Sequence, residues 1–212
     1  MGAAGWLLLG VAGVLAVADW VAVATGNKRL EYACKPLVMV ALIGVAVVIQ
    51  PAVPPQRAWW LAALALGTVG DVFLMLPRDR FVAGLAAFVV GHLAYIAGFH
   101  AAGVPIGTTV LWLAVLLVPL SLALLPIIRG ARRAGHQELA GPIVVYSLVI
   151  SAMVASALAG PSRLAAVGAL LFIASDGLIG FRRFVGNRRW MGLAVSVTYH
   201  LGQAGLVLSL VR

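Results

Sequence analysis

Three aspartates sit inside apolar runs of the 212-residue chain: Asp19 in VLAVADWVAVA, Asp71 in LGTVGDVFLML and Asp176 in LFIASDGLIGF. Lys35, His92, Tyr95, Tyr146, Tyr199, His200 and Gln203 lie within or at the edge of similar runs. These side chains allow three kinds of chemistry. Two carboxylates in unlike environments can divide the roles of general acid and base. The same groups can carry protons through a transporter. Histidine with aspartate can bind a metal. An ionisable group surrounded by hydrocarbon is costly to keep, and a functional role is the default expectation for it.

The elements that must position these groups follow from composition. The chain is 63% hydrophobic and 10% charged, against roughly 25% charged residues in a soluble domain. An all-α, polytopic membrane bundle forming a single integral membrane domain (1–212) is expected. Eight runs are long enough to cross a bilayer, which takes about 20 apolar residues: roughly 5–25, 34–50, 58–76, 81–100, 108–128, 139–159, 163–181 and 191–211. Polar breaks separate them, among them GNKR at 26–29, PAVPPQR at 51–57, PRDR at 77–80, RGARRAGHQE at 129–138 and RRFVGNRR at 182–189. The first run lacks a basic leading segment and reads as a retained span rather than a cleaved signal. Of the 15 basic residues, 12 fall in the loops joining spans 1–2, 3–4, 5–6 and 7–8. Such an asymmetry places those loops in the cytoplasm and both termini outside. The net charge of +9 therefore reads as attraction to anionic lipid headgroups, not to nucleic acid.

Depth can be counted from the flanking arginines. Asp71 lies seven residues before Arg78 and Asp176 six before Arg182. At 1.5 Å per residue both fall about 9–10 Å inside the cytoplasmic face, and Tyr146 reaches a similar level. His92 and His200 count as deeper, together with Tyr95, Tyr199 and Gln203. Lys35 stands at the start of span 2, beside Pro36. Asp19 reads as a residue that snorkels or pairs with Lys28. Polar groups gathered from several spans in one leaflet describe a cavity open toward the cytoplasm. One cysteine, Cys34, excludes disulfides and Cys-based zinc motifs. No HExxH, GxSxG or phosphate loop is present. The histidines lack i, i+4 partners and differ in depth from the aspartates, so no metal and no cofactor is expected.

An internal repeat is also visible. KPLVMVAL at 35–42 pairs with GPIVVYSL at 141–148, and GDVFLM at 70–75 with SDGLIG at 175–180. Gly84-Leu85…His92-Leu93 pairs with Gly192-Leu193…His200-Leu201. The offsets are 106, 105 and 108 residues, and each pair joins spans of the same direction. A parallel repeat of four helices plus four is expected, with Asp71 and Asp176 as symmetry mates. Sites tend to lie where such repeats meet.

Six pieces in order resemble the YhhN-like lysoplasmalogenase family: KPLVM at 35–39, GDVFLM at 70–75, the GL…F…GH..Y run at 84–95, the P..VYS…..M run from Pro142 to Met153, FIASD at 172–176 and YHLGQ at 199–203. The likeness runs from about Lys35 to the last span; span 1 matches poorly, and His200 stands where the family often has an aromatic residue. The resemblance implies hydrolysis of the vinyl ether bond of 1-alkenyl lysophospholipids, giving a fatty aldehyde and a glycerophospho-headgroup. It implies Asp71 and Asp176 as the catalytic acid–base pair. Lys35, His92, Tyr95, Tyr146, Tyr199, His200 and Gln203 are then expected to bind substrate or support the pair, in a bacterial cytoplasmic membrane. Two other readings use the same residues: a proton-coupled small-molecule transporter, and a metal-dependent hydrolase of amide or ester lipids.

Overall fold

The computed structural model describes residues 1–76 and 80–211. The fold is all-α, with eight long helices: α1 (Ala3–Thr25), α2 (Lys28–Val48), α3 (Pro54–Met75), α4 (Phe81–Ala101), α5 (Ile106–Arg133), α6 (Ala140–Ala159), α7 (Arg163–Phe184) and α8 (Arg189–Leu208). All eight are long and apolar enough to cross a membrane; even a 20-residue helix spans about 30 Å. Their outward faces carry exposed Leu and Val, such as Leu111, Val118 and Leu122 of α5. In water this would be a sticky surface, whereas in a bilayer it matches the solvent. The chain is a multi-pass membrane protein.

The helices begin and end on capping chemistry, and this is where they depart from the hydropathy runs. Gly26 closes α1 in the left-handed region, with φ 74°, a conformation that glycine adopts without strain. Asn27 then caps α2 by accepting the Leu30 N–H at 3.2 Å. The α1–α2 connection is thus two residues long, and α2 starts six residues before its apolar run does. Lys35 is consequently two turns inside α2 rather than at its start, and the helix continues through Pro36. In the same way α5 carries Arg129, Arg132 and Arg133 on a helical extension. Hydropathy marks the hydrocarbon slab, while caps mark the helix. Arg78 and Asp79, which serve as the depth marker after span 3, lie outside the described residues.

Sequential helices pack as hairpins: α1 with α2, α3 with α4, α5 with α6, α7 with α8. Further contacts join α2 to α3 and α8, and α6 to α7 and α4. Adding four to each helix number (modulo eight) carries α6–α7 and α6–α4 onto α2–α3 and α2–α8, but α1–α8 and α5–α7 have no comparable mates.

The main core lies at the centre of the bundle. Trp60 is fully buried and donates its indole N–H to the Leu206 carbonyl at 2.6 Å, tying α3 to α8. Its ring meets Tyr95 and Phe99 edge-on, with centroids 5.1 and 4.9 Å apart. α7 and α8 approach backbone to backbone. A Cβ on Gly168 would stand 2.8 Å from the Gly202 carbonyl oxygen and 2.9 Å from the Leu206 nitrogen. Small residues of this kind let membrane helices pack closely where no hydrophobic effect drives them together. Gly168→Leu should therefore force α7 from α8. Overpacking costs about 1–3 kcal/mol, so the thermal unfolding midpoint in detergent should fall by roughly 5 °C.

Candidate active site

Near the end of the bundle where α2 and α8 begin and α3 and α7 finish, the polar side chains separate into three neighbouring groups. The first is built around Asp71. Its Oδ1 lies 3.0 Å from Lys35 Nζ, with side-chain exposures of 2% and 11%. The Tyr199 hydroxyl lies beside the same carboxylate, and Lys35 Nζ stands 5.3 Å from the Tyr199 ring centroid. Gln203, one turn along α8, donates its amide N–H to the Tyr199 oxygen at 3.4 Å. Gln203 Oε1 in turn accepts from the Tyr95 hydroxyl at 2.7 Å. An unbroken line Tyr95–Gln203–Tyr199–Asp71–Lys35 thus crosses α4, α8, α3 and α2. Because the Tyr199 oxygen accepts from Gln203, its own proton is free to point at Asp71.

The second group is built around Asp176. The Tyr146 hydroxyl donates to Asp176 Oδ2, and His92 Nε2 lies 3.2 Å from the Tyr146 oxygen and 3.7 Å from Asp176 Oδ2. A phenol has one proton. If Tyr146 gives it to Asp176, His92 must donate to Tyr146, which fixes a proton on Nε2. The His92 ring is 1% exposed and clamped by Phe88, Tyr146 and Phe172. The sequence count put His92 deeper than the aspartates, but the structure brings them together. Counting along the chain assumes upright, parallel helices and ignores the reach of side chains across a crossing.

The third group contains a residue that sequence reasoning left aside. Asp19 of α1 is 0% exposed and lies 4.0 Å from His200 Nδ1, close to Ser196. It does not snorkel and does not meet Lys28, which pairs with Glu31. The Trp20 indole donates to His200 Nδ1 at 3.2 Å. Indole nitrogen only donates, so Nδ1 is an acceptor and the His200 proton sits on Nε2. Asp19 and His200 are therefore neighbours, not a hydrogen-bonded ion pair. His200 faces α1 instead of the other two carboxylates. The clue to Asp19 was a stripe of small residues: Ala12, Ala16, Asp19 and Ala22 follow helical spacing and all are buried.

Two cavities lie beside the first two groups, one reached by Lys35 and the other by Tyr146 and Asp176. One, of about 300 Å³, is almost wholly apolar and runs between α4, α5, α6 and α7, with Asp176 and Tyr146 on its wall. The other, of about 370 Å³, is about half polar and is lined by Lys28, Glu31, Tyr32, Lys35, Arg182 and Asn187 among others. Leu74, Phe81 and Ile179 line both. Leu74 is one helical turn beyond Asp71, and Ile179 one turn beyond Asp176. The common border thus lies within a turn of each carboxylate. The two carboxylates are also near enough to interact electrostatically. Among the described residues no three His, Cys, Asp or Glu side chains converge as metal ligands.

The buried ion pair makes a clear stability statement. Removing one partner of such a pair costs about 3–5 kcal/mol. Lys35→Met should lower the thermal midpoint in detergent by roughly 10 °C, and adding Asp71→Leu should recover most of that loss. A double-mutant cycle on the purified protein measures the coupling.

The chain as a whole is similar to known proteins. The profile of the YhhN family matches residues 30–210. A protein named lysoplasmalogenase from Mycobacterium bovis is 31% identical over 98% of this chain and 83% of its own length. Lysoplasmalogenase TMEM86B of Mus musculus is 29% identical over 84% of this chain and 74% of its own. The Homo sapiens protein of that name is 33% identical over 71% of this chain and 62% of its own. No solved structure matches the chain significantly.

Proposed function

The chain belongs to the YhhN family, and on that premise we propose that it is a lysoplasmalogenase-type ether hydrolase of a bacterial cytoplasmic membrane. Its substrate is a 1-alkenyl lysophospholipid and its products are a fatty aldehyde and a glycerophospho-headgroup. One observation carries the reading: an apolar cavity with Asp176 on its wall shares with a basic vestibule a border that lies one helical turn from both Asp71 and Asp176. A single-chain lipid has this same division. Its alkenyl tail suits the apolar cavity and its phosphate the basic vestibule, which leaves the vinyl ether at the border. The vestibule lies on the side that the basic loops assign to the cytoplasm.

Vinyl ethers are cleaved by acid. A proton is delivered to the β-carbon of the C=C bond, and positive charge spreads over the α-carbon and the ether oxygen. Water adds to the α-carbon, and the hemiacetal collapses to aldehyde and glycerol hydroxyl. The enzyme needs one carboxyl that carries a proton and one that stays anionic, as paired carboxylates do in glycoside hydrolysis. Asp71, ion-paired with Lys35, suits the anionic role: it stabilises the cation and receives the proton of the attacking water. Asp176 opens on the apolar cavity and suits the acid role. The Tyr146–His92 line behind it holds it in place and can pass a proton to it. Tyr199, Gln203 and Tyr95 fix the orientation of Asp71 from the other side.

The test is aldehyde release by purified protein from 1-alkenyl lysophospholipid, with 1-alkyl and 1-acyl analogues as controls. The alkenyl lipid alone should be cleaved, since an alkyl ether cannot form the cation by protonation and an ester needs a different attack. General acid–base assistance contributes about 10²–10⁴-fold, so Asp71→Asn and Asp176→Asn should each lose activity on that scale while remaining folded. Full activity in either variant would sink the acid–base pair. Cleavage of the acyl lipid with metal dependence would favour an ester hydrolase instead. Ala123→Phe, which narrows the apolar cavity, should shift preference toward shorter alkenyl chains without changing the pH profile.

A further inference from the structure

The polar vestibule is rich in basic residues, yet few of them are unengaged. Lys35 is held by Asp71 at 3.0 Å. Arg183 lies over the Phe81 ring, 4.2 Å from its centroid. Arg182 presents a buried Nε with no hydrogen-bond partner among the described residues, which makes it the natural contact for a single phosphate. Among the described residues the vestibule also holds one acidic side chain. Glu31, in the first turn of α2, is only 14% exposed and accepts from Lys28 Nζ at 2.7 Å, while the Lys28 side chain is 68% exposed. Tyr32 lies on the same wall.

This pairing is lopsided. The carboxylate is held in the wall, and its partner is a long chain standing mostly in water. Such exposed ion pairs contribute little and exchange readily. Lys28 Nζ is chemically a primary ammonium. Its contact shows the geometry that Glu31 offers to any group of that kind, and an adjacent aromatic ring favours a cation further.

We propose that Glu31 is a specificity-determining residue that receives the ammonium of a lipid headgroup, with Lys28 as its exchangeable internal competitor. The vestibule then selects headgroups carrying a cation beyond their phosphate over headgroups carrying the phosphate alone. This rests on the lipid-hydrolase reading above. A purely local role for Glu31 is the competing account, because an acidic residue in the first turn and an i, i+3 pair both support a helix.

The two accounts differ in sign. Aldehyde release by the full chain is measured on two 1-alkenyl lysophospholipids of one chain length, bearing ethanolamine or glycerol on the phosphate. Glu31→Gln should raise KM for the ethanolamine lipid about tenfold, the scale of one charge-assisted hydrogen bond, and leave kcat and the glycerol lipid unchanged. Lys28→Gln removes the competitor and should lower KM for the ethanolamine lipid. If both variants shift KM in the same direction, or if Glu31→Gln affects both lipids alike, Glu31 serves the helix and the inference is overturned. A rise in KM for both lipids in Lys28→Gln would assign Lys28 to the phosphate and overturn it as well. Wild-type protein that releases aldehyde from neither lipid refutes the hydrolase reading itself, and the headgroup inference with it.

Discussion

A lysine ammonium and an aspartate carboxylate 3.0 Å apart, both screened from bulk water, set the terms for the rest of the polar core. Bringing either charge alone into hydrocarbon is prohibitive, and even the pair calls for further polar neighbours, although Asp71 Oδ2 has no hydrogen-bond partner among the described residues. This demand accounts for the neighbours. Tyr199 presents both its hydroxyl and its ring to the pair. Gln203 and Tyr95 continue the line to α4. Four helices are thereby held in one register by an interaction that no single helix could satisfy. Lys35 also reaches the vestibule wall, so the ammonium keeps contact with a polar compartment and the pair need not be fully desolvated.

The amphiphilic shape of the site follows from where the helices end. α2 starts in the polar zone because Gly26 and Asn27 turn the chain within two residues, which places Lys28, Glu31, Tyr32 and Lys35 on consecutive turns. α7 runs past the apolar zone to Arg182 and Arg183. Between these basic ends, Leu74, Phe81 and Ile179 close the transition to hydrocarbon. A polar and an apolar compartment thus meet across three side chains, and the carboxylates stand one turn inward.

Much of this was legible in the chain. The eight apolar runs gave eight helices, and the cost of burying charge singled out Asp71 and Asp176. What stayed hidden depended on lateral geometry. Nothing in the spacing of His92 and Asp176 says that α4, α6 and α7 bring their side chains together through Tyr146. Asp19 looked like an end-of-helix residue because its depth was read without its face. The alanines at 12, 16 and 22 define the packed side of α1 and carry Asp19 with them. Likewise Glu31 lies ahead of the second apolar run yet inside α2, because the helix starts on a cap that hydropathy does not register.

The repeat sharpens why two like residues can do unlike work. Asp71 and Asp176 stand 105 positions apart, and so do Leu74 and Ile179, the border residues one turn beyond them. Tyr95 and Gln203, 108 apart, are mates by the offset of α4 and α8, and they touch each other, as residues near a symmetry axis should. A duplicated scaffold would deliver two carboxylates to matching places. On its own it would give them matching environments, and equal carboxylates make a poor acid–base pair. The difference comes from positions where the halves have diverged. The first repeat has Lys35 where the second has Gly141, and the second has Tyr146 where the first has Val40. One aspartate therefore faces an ammonium and the other a phenol backed by an imidazole. On the proposed reading, the repeat would supply the placement and a few substitutions the polarity that acid-catalysed cleavage requires.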